Sequence, residues 1–190
     1  QTCHMPEGDH LFRTAWGYWG LDPREGREPD RTLLKALGFA DETGAWTAQG
    51  KTLLDLGCFR GPTGDFREDR KRMVAVCSEC HQERLAKETL AQGDRALGEA
   101  NRIMARALKA AEQRGITGPV LHPADKDGPV RTRLQEMFFV DRMNRFKGGF
   151  HLSPRYSDPL GIQRMESGLF EIDPSSLPLR LRNPSDRQTQ

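Results

Sequence analysis

Long apolar runs and a charge excess of one sign are the first features that this sequence lacks. The 190-residue chain is 36% hydrophobic and 29% charged, with a formal net charge of +2. No stretch approaches the roughly 18 consecutive apolar residues that a membrane-spanning helix needs. Because the two signs of charge are interspersed, neither nucleic acid nor a membrane surface is indicated as a partner. We therefore expect no transmembrane segment and no binding of nucleic acid.

A secretory signal peptide is also missing from the start of the sequence. The chain opens with the polar stretch Gln1-Thr2-Cys3-His4-Met5, where a signal peptide would have a charged start and an apolar run. This opening has no initiator Met and is typical of the middle of a domain. We expect a mature, processed or partial chain.

Cysteine is scarce and unevenly placed. The four cysteines are Cys3, Cys58, Cys77 and Cys80. A disulfide framework is typical of small secreted scaffolds, and a chain of this length is large for one. Cys58 has no partner at a useful spacing, so we expect a buried free thiol there.

A C-x-x-C-H motif runs from Cys77 to His81, and this is the attachment pattern of c-type haem. Two thiols at this spacing can reach both vinyl groups of one porphyrin edge, and the adjacent His81 can then ligate the iron. Two alternatives remain open at this stage. Cys3, His4, Cys77 and Cys80 could together supply the four ligands of a zinc site. A redox dithiol would want a βαβ context, which the sequence does not indicate.

The first residues match the end of a second such motif. Gln1-Thr2-Cys3-His4 would be its last four residues, with the first cysteine immediately before Gln1. This predicts Cys3 as a haem anchor and His4 as a proximal iron ligand, with the natural protein continuing upstream and carrying more haems. An accidental Cys-His pair is the alternative.

Three further histidines are candidates for distal iron ligands, because electron-transfer haems are usually six-coordinate. His10 follows His4 too closely to reach the opposite face of the same ring, so we expect it to ligate a neighbouring haem. His151 comes just after two glycines and a helical stretch, where the backbone can approach a cofactor closely, and is also predicted to ligate iron. His122 precedes Pro123 in a loop, and there we expect a surface histidine.

The predicted fold class is mainly α, with a haem-binding segment over residues 1–82. A long amphipathic helix is predicted over about 83–114, because Leu90, Leu97, Met104 and Ala111 recur every seven residues. It opens a long-helix C-terminal region, 83–165, and an irregular tail is expected over 166–190.

Shorter helices are predicted at 31–39, 48–56 and 65–76, and another at 130–147 with Gly148 as its stop. Beyond Pro154 we expect irregular chain. Three clustered aromatics, Trp16, Tyr18 and Trp19, suit either a haem face or ordinary core.

Several segments resemble the hydroxylamine oxidoreductase-like multihaem c-type cytochromes. Residues 70–81 are similar to the last haem segment of that family, and residues 1–10 to an earlier one in which a histidine ligates another haem. The long helix after His81 and the segment 137–151 resemble its helical C-terminal part. The likeness covers most of 1–165, while the specific motifs cover far less.

This resemblance implies haem c as the cofactor and a periplasmic or extracellular location. It implies a homotrimer that exchanges electrons with a redox partner protein or other haem-bearing chains. The enzymatic function would be the interconversion of hydroxylamine, hydrazine or nitrite at a five-coordinate haem upstream of Gln1. Tyr156 would match a tyrosine that cross-links to a neighbouring subunit's catalytic haem. The residues after Tyr156 lack the expected aromatic and His residues, so a plain loop tyrosine stays open. The alternative function is an electron-conduit cytochrome, a filament or shuttle subunit, with no substrate site.

Overall fold

The computed structural model describes Trp16, Gly20, Leu21 and residues 28–56, 65–122 and 128–176, with only the backbone of 65–67. In this part of the chain the regular structure is helical, apart from one isolated antiparallel bridge between Ala40 and Trp46. The prediction of a mainly α fold is confirmed to this extent. Other residues singled out above lie outside the described part: Cys3, His4, His10, Tyr18, Trp19 and Cys58.

The helices follow one another with short connections. The first four are α1 (Glu28–Ala36), α2 (Ala48–Asp55), α3 (Asp65–Ser78) and α4 (Glu83–Gln113). An unbroken helical stretch then comprises α5 (Pro129–Glu136), a π-helical turn (Met137–Asp141) and α6 (Arg142–Phe150). The chain ends its described course with α7 (Pro154–Ser157), a second π-helical turn (Asp158–Ile162), α8 (Gln163–Ile172) and a 3₁₀ turn (Pro174–Ser176). None of the described helices combines the length and the apolar character needed to cross a membrane.

The long helix α4 organises the molecule, as its sequence period predicts. Leu90, Leu97, Met104 and Ala111 are all buried, with exposed fractions of 6%, 4%, 0% and 1%. Alanine fills many of the remaining buried positions of α4, so neighbouring helices can lie close to it. Helices α1, α3, α6 and α8 all pack against α4.

The buried side chains form two separate clusters along α4. The main core joins α1, the second half of α4, the π-helical turn after α5, and α8, with Met104, Leu134, Phe138 and Met165 among its fully buried members. The second cluster, here called the aromatic cluster, is smaller. It comprises buried Trp16, Met73, Leu90 and Leu97, with Val74, Cys77, Phe146 and Phe150 half-buried around them.

A buried polar network crosses the main core. Arg142 is fully buried, and its Nε donates to Oδ1 of Asn101 at 2.6 Å. The Asn101 amide donates in turn to Oδ1 of Asp30 at 2.5 Å, and the guanidinium of Arg142 lies 4.7 Å from the ring centre of Phe138. Burial lowers the pKa of Arg142 to about 9, and the charge of Asp30 opposes that shift. The network gives the buried cation the hydrogen bonds and the counter-charge that it needs.

The predicted helix stop at Gly148 is wrong, because α6 continues through Phe150. The two glycines allow the backbone of α6 to pack closely against α4 and α7. A Cβ atom on Gly149 would lie 2.7 Å from Cβ of Ala96, so the backbones of α6 and α4 nearly touch there. A Cβ on Gly148 would collide with the backbone of Ser157 in α7.

The expectation of irregular chain beyond Pro154 is also wrong as far as Ser176. Helix α8 returns to the main core and buries Met165, Leu169 and Ile172, with exposed fractions of 0%, 3% and 2%. Pro154 misleads here, because it occupies the first turn of α7. Proline is well tolerated at that position, since its missing N–H has no helical partner there.

Candidate functional site

The C-x-x-C-H motif lies where α3 ends. Cys77 is in the last turn of α3 and is half-buried, whereas Cys80 and His81 follow the helix and are exposed. The backbone keeps turning through the motif. The amide of Cys80 donates to the carbonyl of Cys77 at 3.3 Å, and that of His81 donates to the same carbonyl at 2.9 Å.

This turn brings the two thiols to the same side of the chain. Residues three apart in a helical turn are neighbours, with Cβ atoms about 5–6 Å apart. The arrangement of Cys77 and Cys80 fits the chemistry of haem attachment, in which two neighbouring thiols add to the two vinyl groups of one porphyrin edge.

The buried side of the site is the aromatic cluster. Trp16 is 7% exposed and meets Phe146 and Phe150 edge-to-face, at ring-centre distances of 4.8 and 4.9 Å. Cys77 packs against this cluster, so the first cysteine of the motif lies at its edge. Trp16 is therefore a buried core residue in the cluster that Cys77 contacts. The two roles that the sequence left open for Trp16, ordinary core and haem-facing residue, would both place it in this region.

A charged pair borders the aromatic cluster. Nη1 of Arg70 donates to Oδ2 of Asp94 at 2.8 Å, and Nη2 contacts Oδ1 of the same carboxylate. The indole N–H of Trp16 donates to that Oδ1 at 2.8 Å. The guanidinium also lies 5.4 Å from the ring centre of Trp16. Asp94 thus joins α3, α4 and the N-terminal Trp16 in one network.

A groove of about 610 Å³ lies between α3 and α4, next to the motif. Ser78 and Glu83 line it near the turn that joins the helices, while Arg70 and Asp94 line it farther away. Apolar side chains lie between these ends, and lysines flank them: Val74, Ala75, Leu90, Ala91, Lys71 and Lys87. The groove is thus apolar along its middle, with charged side chains of both signs at its edges.

His151 lies next to the same cluster. It follows α6 directly, is exposed, and its ring centre is 4.9 Å from that of Phe150. Its Nδ1 is 3.0 Å from the carbonyl oxygen of Lys147. A backbone carbonyl at this distance favours a proton on Nδ1, which leaves the lone pair of Nε2 for a metal.

An exposed apolar surface follows His151. Leu152 has a φ of 55°, which is the left-handed region that a non-glycine residue seldom adopts, and its side chain is 57% exposed. Tyr156 lies in α7, within a helix and not in a loop, and is 51% exposed. By contrast, His122 is half-buried in the loop after α4, where its backbone carbonyl accepts a hydrogen bond from the side-chain amide of Gln135 at 3.0 Å.

The zinc alternative would use Cys3, His4, Cys77 and Cys80 as its ligands. Among the described residues, no three His, Cys, Asp or Glu side chains lie together as ligands of a directly bound metal ion. Cys3 and His4, which that alternative requires, lie outside them.

Local sequence patterns gave no sign of Asp94 as part of this site. Its partners Arg70 and Trp16 are 24 and 78 positions away along the chain. The one available signal is Trp16 itself, because the N–H of a buried tryptophan usually needs a hydrogen-bond acceptor. That signal does not say which residue the acceptor is.

The chain matches no protein-family model, no curated protein and no solved structure. The candidate site is therefore supported by its own residues: a C-x-x-C-H turn, an aromatic cluster behind the first cysteine, and an exposed histidine at the edge of that cluster.

Proposed function

We propose that this chain attaches haem c through Cys77 and Cys80, with His81 as an axial ligand, and that it functions in electron transfer. The observation that carries the proposal is the motif at the end of α3 with its first thiol packed on the aromatic cluster. Bound haem would supply an iron that takes up and passes on single electrons.

The chain's own residues would anchor, ligate and shield. Thioethers at Cys77 and Cys80 would fix the position of the ring, and Trp16 with its neighbouring phenylalanines would exclude water from one side. His151 is the candidate for a second axial ligand in the described part, since its Nε2 is left free of the carbonyl contact that Nδ1 makes. Cys3, His4 and His10 are proposed for a further haem.

We also propose that the chain is the C-terminal part of an enzyme like hydroxylamine oxidoreductase, acting on hydroxylamine, hydrazine or nitrite outside the cytoplasm. The support is the motif resemblance together with the long helix after the motif. The exposed Tyr156 and Leu152 would suit contact with another subunit of a trimer. The catalytic haem would belong to the upstream part of the natural protein.

Covalent attachment is tested by spectroscopy on the native and denatured chain. We expect a Soret band in the native protein and a pyridine haemochrome that stays with the polypeptide after denaturation. The double variant Cys77→Ala, Cys80→Ala should lose the haem of this motif. The matched control Cys58→Ala removes a thiol outside the motif and should keep it. A colourless natural protein, or equal haem content in the double variant and the control, would refute the proposal.

The enzymatic part needs a different measurement. Hydroxylamine or nitrite added to the whole natural protein should shift the spectrum of one five-coordinate haem and exchange electrons with an added redox dye. A protein whose haems are all six-coordinate and do not respond to these compounds would be an electron conduit instead.

A further inference from the structure

We propose that the Arg70/Asp94 ion pair sets the reduction potential of the haem at Cys77 and Cys80, and that Trp16 is the residue that positions the pair. This inference rests on the proposed haem attachment. It goes beyond it by assigning a role to two charged residues outside the C-x-x-C-H motif.

The pair and the first cysteine border the same cluster of side chains. Arg70 lies two helical turns before Cys77 on α3, which is about 10 Å along the helix axis. Between them, Met73 and Val74 belong to the aromatic cluster that Cys77 also contacts. The groove between α3 and α4 extends from Ser78, next to the motif, to Arg70 and Asp94. A ring attached at the motif therefore lies within electrostatic reach of both charges.

Both charges are partly withdrawn from water. The side chain of Arg70 is 28% exposed and that of Asp94 is 41% exposed. Trp16 covers the pair in two ways, because its N–H binds the carboxylate and its ring lies beside the guanidinium. A charge with this much burial is screened less than a fully solvated one.

Reduction adds one negative charge to the haem, so each member of the pair acts on it with opposite sign. Arg70 stabilises the reduced form and raises the reduction potential, whereas Asp94 lowers it. In the intact pair the two effects largely cancel. Removing one charge leaves the other uncompensated. If the axial distance of about 10 Å between Arg70 and Cys77 is taken as the separation, with an effective dielectric constant near 20, the reduction equilibrium constant changes by roughly tenfold.

The test is potentiometric titration of the haem-loaded natural protein at low ionic strength. Asp94→Asn should raise the potential of one haem, and Arg70→Gln should lower the potential of the same haem. That haem is identified as the one missing from the Cys77→Ala, Cys80→Ala variant. The double variant Arg70→Gln, Asp94→Asn should have a reduction potential close to that of the parent protein. Arg70→Lys keeps the positive charge and should shift the potential less than Arg70→Gln does.

The opposite signs separate an electrostatic role from a structural one. If the pair only held α3 against α4, both single variants would loosen the site and shift the potential in the same direction. Trp16→Phe keeps an aromatic ring but loses the N–H, so the ion pair should become more solvated. In that background, Asp94→Asn and Arg70→Gln should therefore shift the potential by less than they do in the parent protein.

A matched control lies two residues before Arg70 on the same helix. Glu68 pairs with Lys71, and both side chains are well exposed, at 61% and 73%. Glu68→Gln makes the same charge change as Asp94→Asn and should leave the potential nearly unchanged.

Shifts of equal sign in the two single variants, or shifts no larger than that of Glu68→Gln, would overturn this inference while leaving haem attachment intact. Absence of haem from the motif would instead overturn the proposed function.

Discussion

The two hydrophobic clusters along α4 differ in how deeply their neighbouring charged side chains are buried. In the main core, Asp30, Asn101 and Arg142 are almost completely buried and hydrogen-bonded to one another. In the aromatic cluster, Arg70 and Asp94 stay at the surface, and the motif residues Cys80 and His81 are exposed. The main core therefore pairs its charged groups in the interior, whereas the charged and reactive side chains beside the aromatic cluster reach the solvent.

The largest expected effect comes from breaking the buried network. Asp30→Ala would leave the cation of Arg142 without its counter-charge in the main core. We expect a loss of about 3–5 kcal/mol in the free energy of unfolding, because a buried charge without its partner is costly. Chemical denaturation of the whole chain measures this.

The control for this change is Glu28→Ala. Glu28 is an exposed acid in the same helix α1, so its removal should alter stability by only about 0.5 kcal/mol. Equal costs for the two substitutions would mean that the network does not stabilise the main core.

The crossing of α4 and α6 joins the two regions, and it can be broken by one methyl group. Gly149→Ala should destabilise the chain by about 1–3 kcal/mol, since the added Cβ has no room against Ala96. Gly98→Ala is the contrasting change, because its nearest neighbour is the end of the flexible Arg102 side chain, at 3.6 Å. That substitution should stabilise α4 by about 0.5–1 kcal/mol, as expected for glycine to alanine in a helix. Thermal unfolding measures both effects: the Tm of Gly149→Ala should fall and that of Gly98→Ala should rise. Shifts of the two Tm values in the same direction would contradict this prediction.

Removing the proposed haem sharpens the comparison between the main core and the aromatic cluster. In the Cys77→Ala, Cys80→Ala variant, backbone amides of α3 and the start of α4 should exchange roughly tenfold faster, or about 1.4 kcal/mol in local stability. Amides of α1 and α8, which belong to the main core, should keep their protection. Hydrogen exchange followed by mass spectrometry resolves the two regions, and a uniform loss of protection would contradict the distinction.

The smallest expected effect is a pH dependence within the main core. Burial raises the pKa of Asp141 above its usual value of 3.8, against the influence of Arg133 and Arg164. The folded state then binds this proton more tightly than the unfolded state, so the contribution is most favourable at acidic pH. It is lost as the pH rises from about 3.8 through the folded pKa.

The matching variant is Asp141→Asn. The stability of the natural chain minus that of the variant should decrease as the pH rises from about 3 to about 6. Denaturation at several pH values gives this difference, and an increase with pH would show that the two arginines outweigh burial.

The sequence predicts the helices that have a strong period and few competing signals. α4 follows from the sevenfold spacing of its buried residues, and α3 from a stretch without glycine or proline that ends in the motif. The helices after Phe150 could not be predicted, because Gly148, Gly149 and Pro154 are usual end signals. Here they are explained by contacts between elements that are distant in sequence.

The candidate site shows the same division. Local spacing alone predicts Cys77, Cys80 and His81 as candidate residues, since haem attachment needs those residues in that order. Asp94 is one of many acidic residues on α4, and nothing near it in sequence sets it apart. Its importance comes from Trp16 and Arg70, which reach it through the tertiary fold.

The π-helical turn at 137–141 has a consequence for how one helix can serve both regions. The amide of Arg142 donates to the carbonyl of Met137, five residues back, so this turn holds one residue more than α-helical geometry would. If the same residues formed a regular α-helix throughout, everything after the turn would be rotated by about 100° about the helix axis. Phe138 would stay in the main core, while Phe146 and Phe150 would turn away from Trp16. The extra residue thus sets the angular phase between two halves of one helix, and the wall of the motif's aromatic cluster depends on that phase.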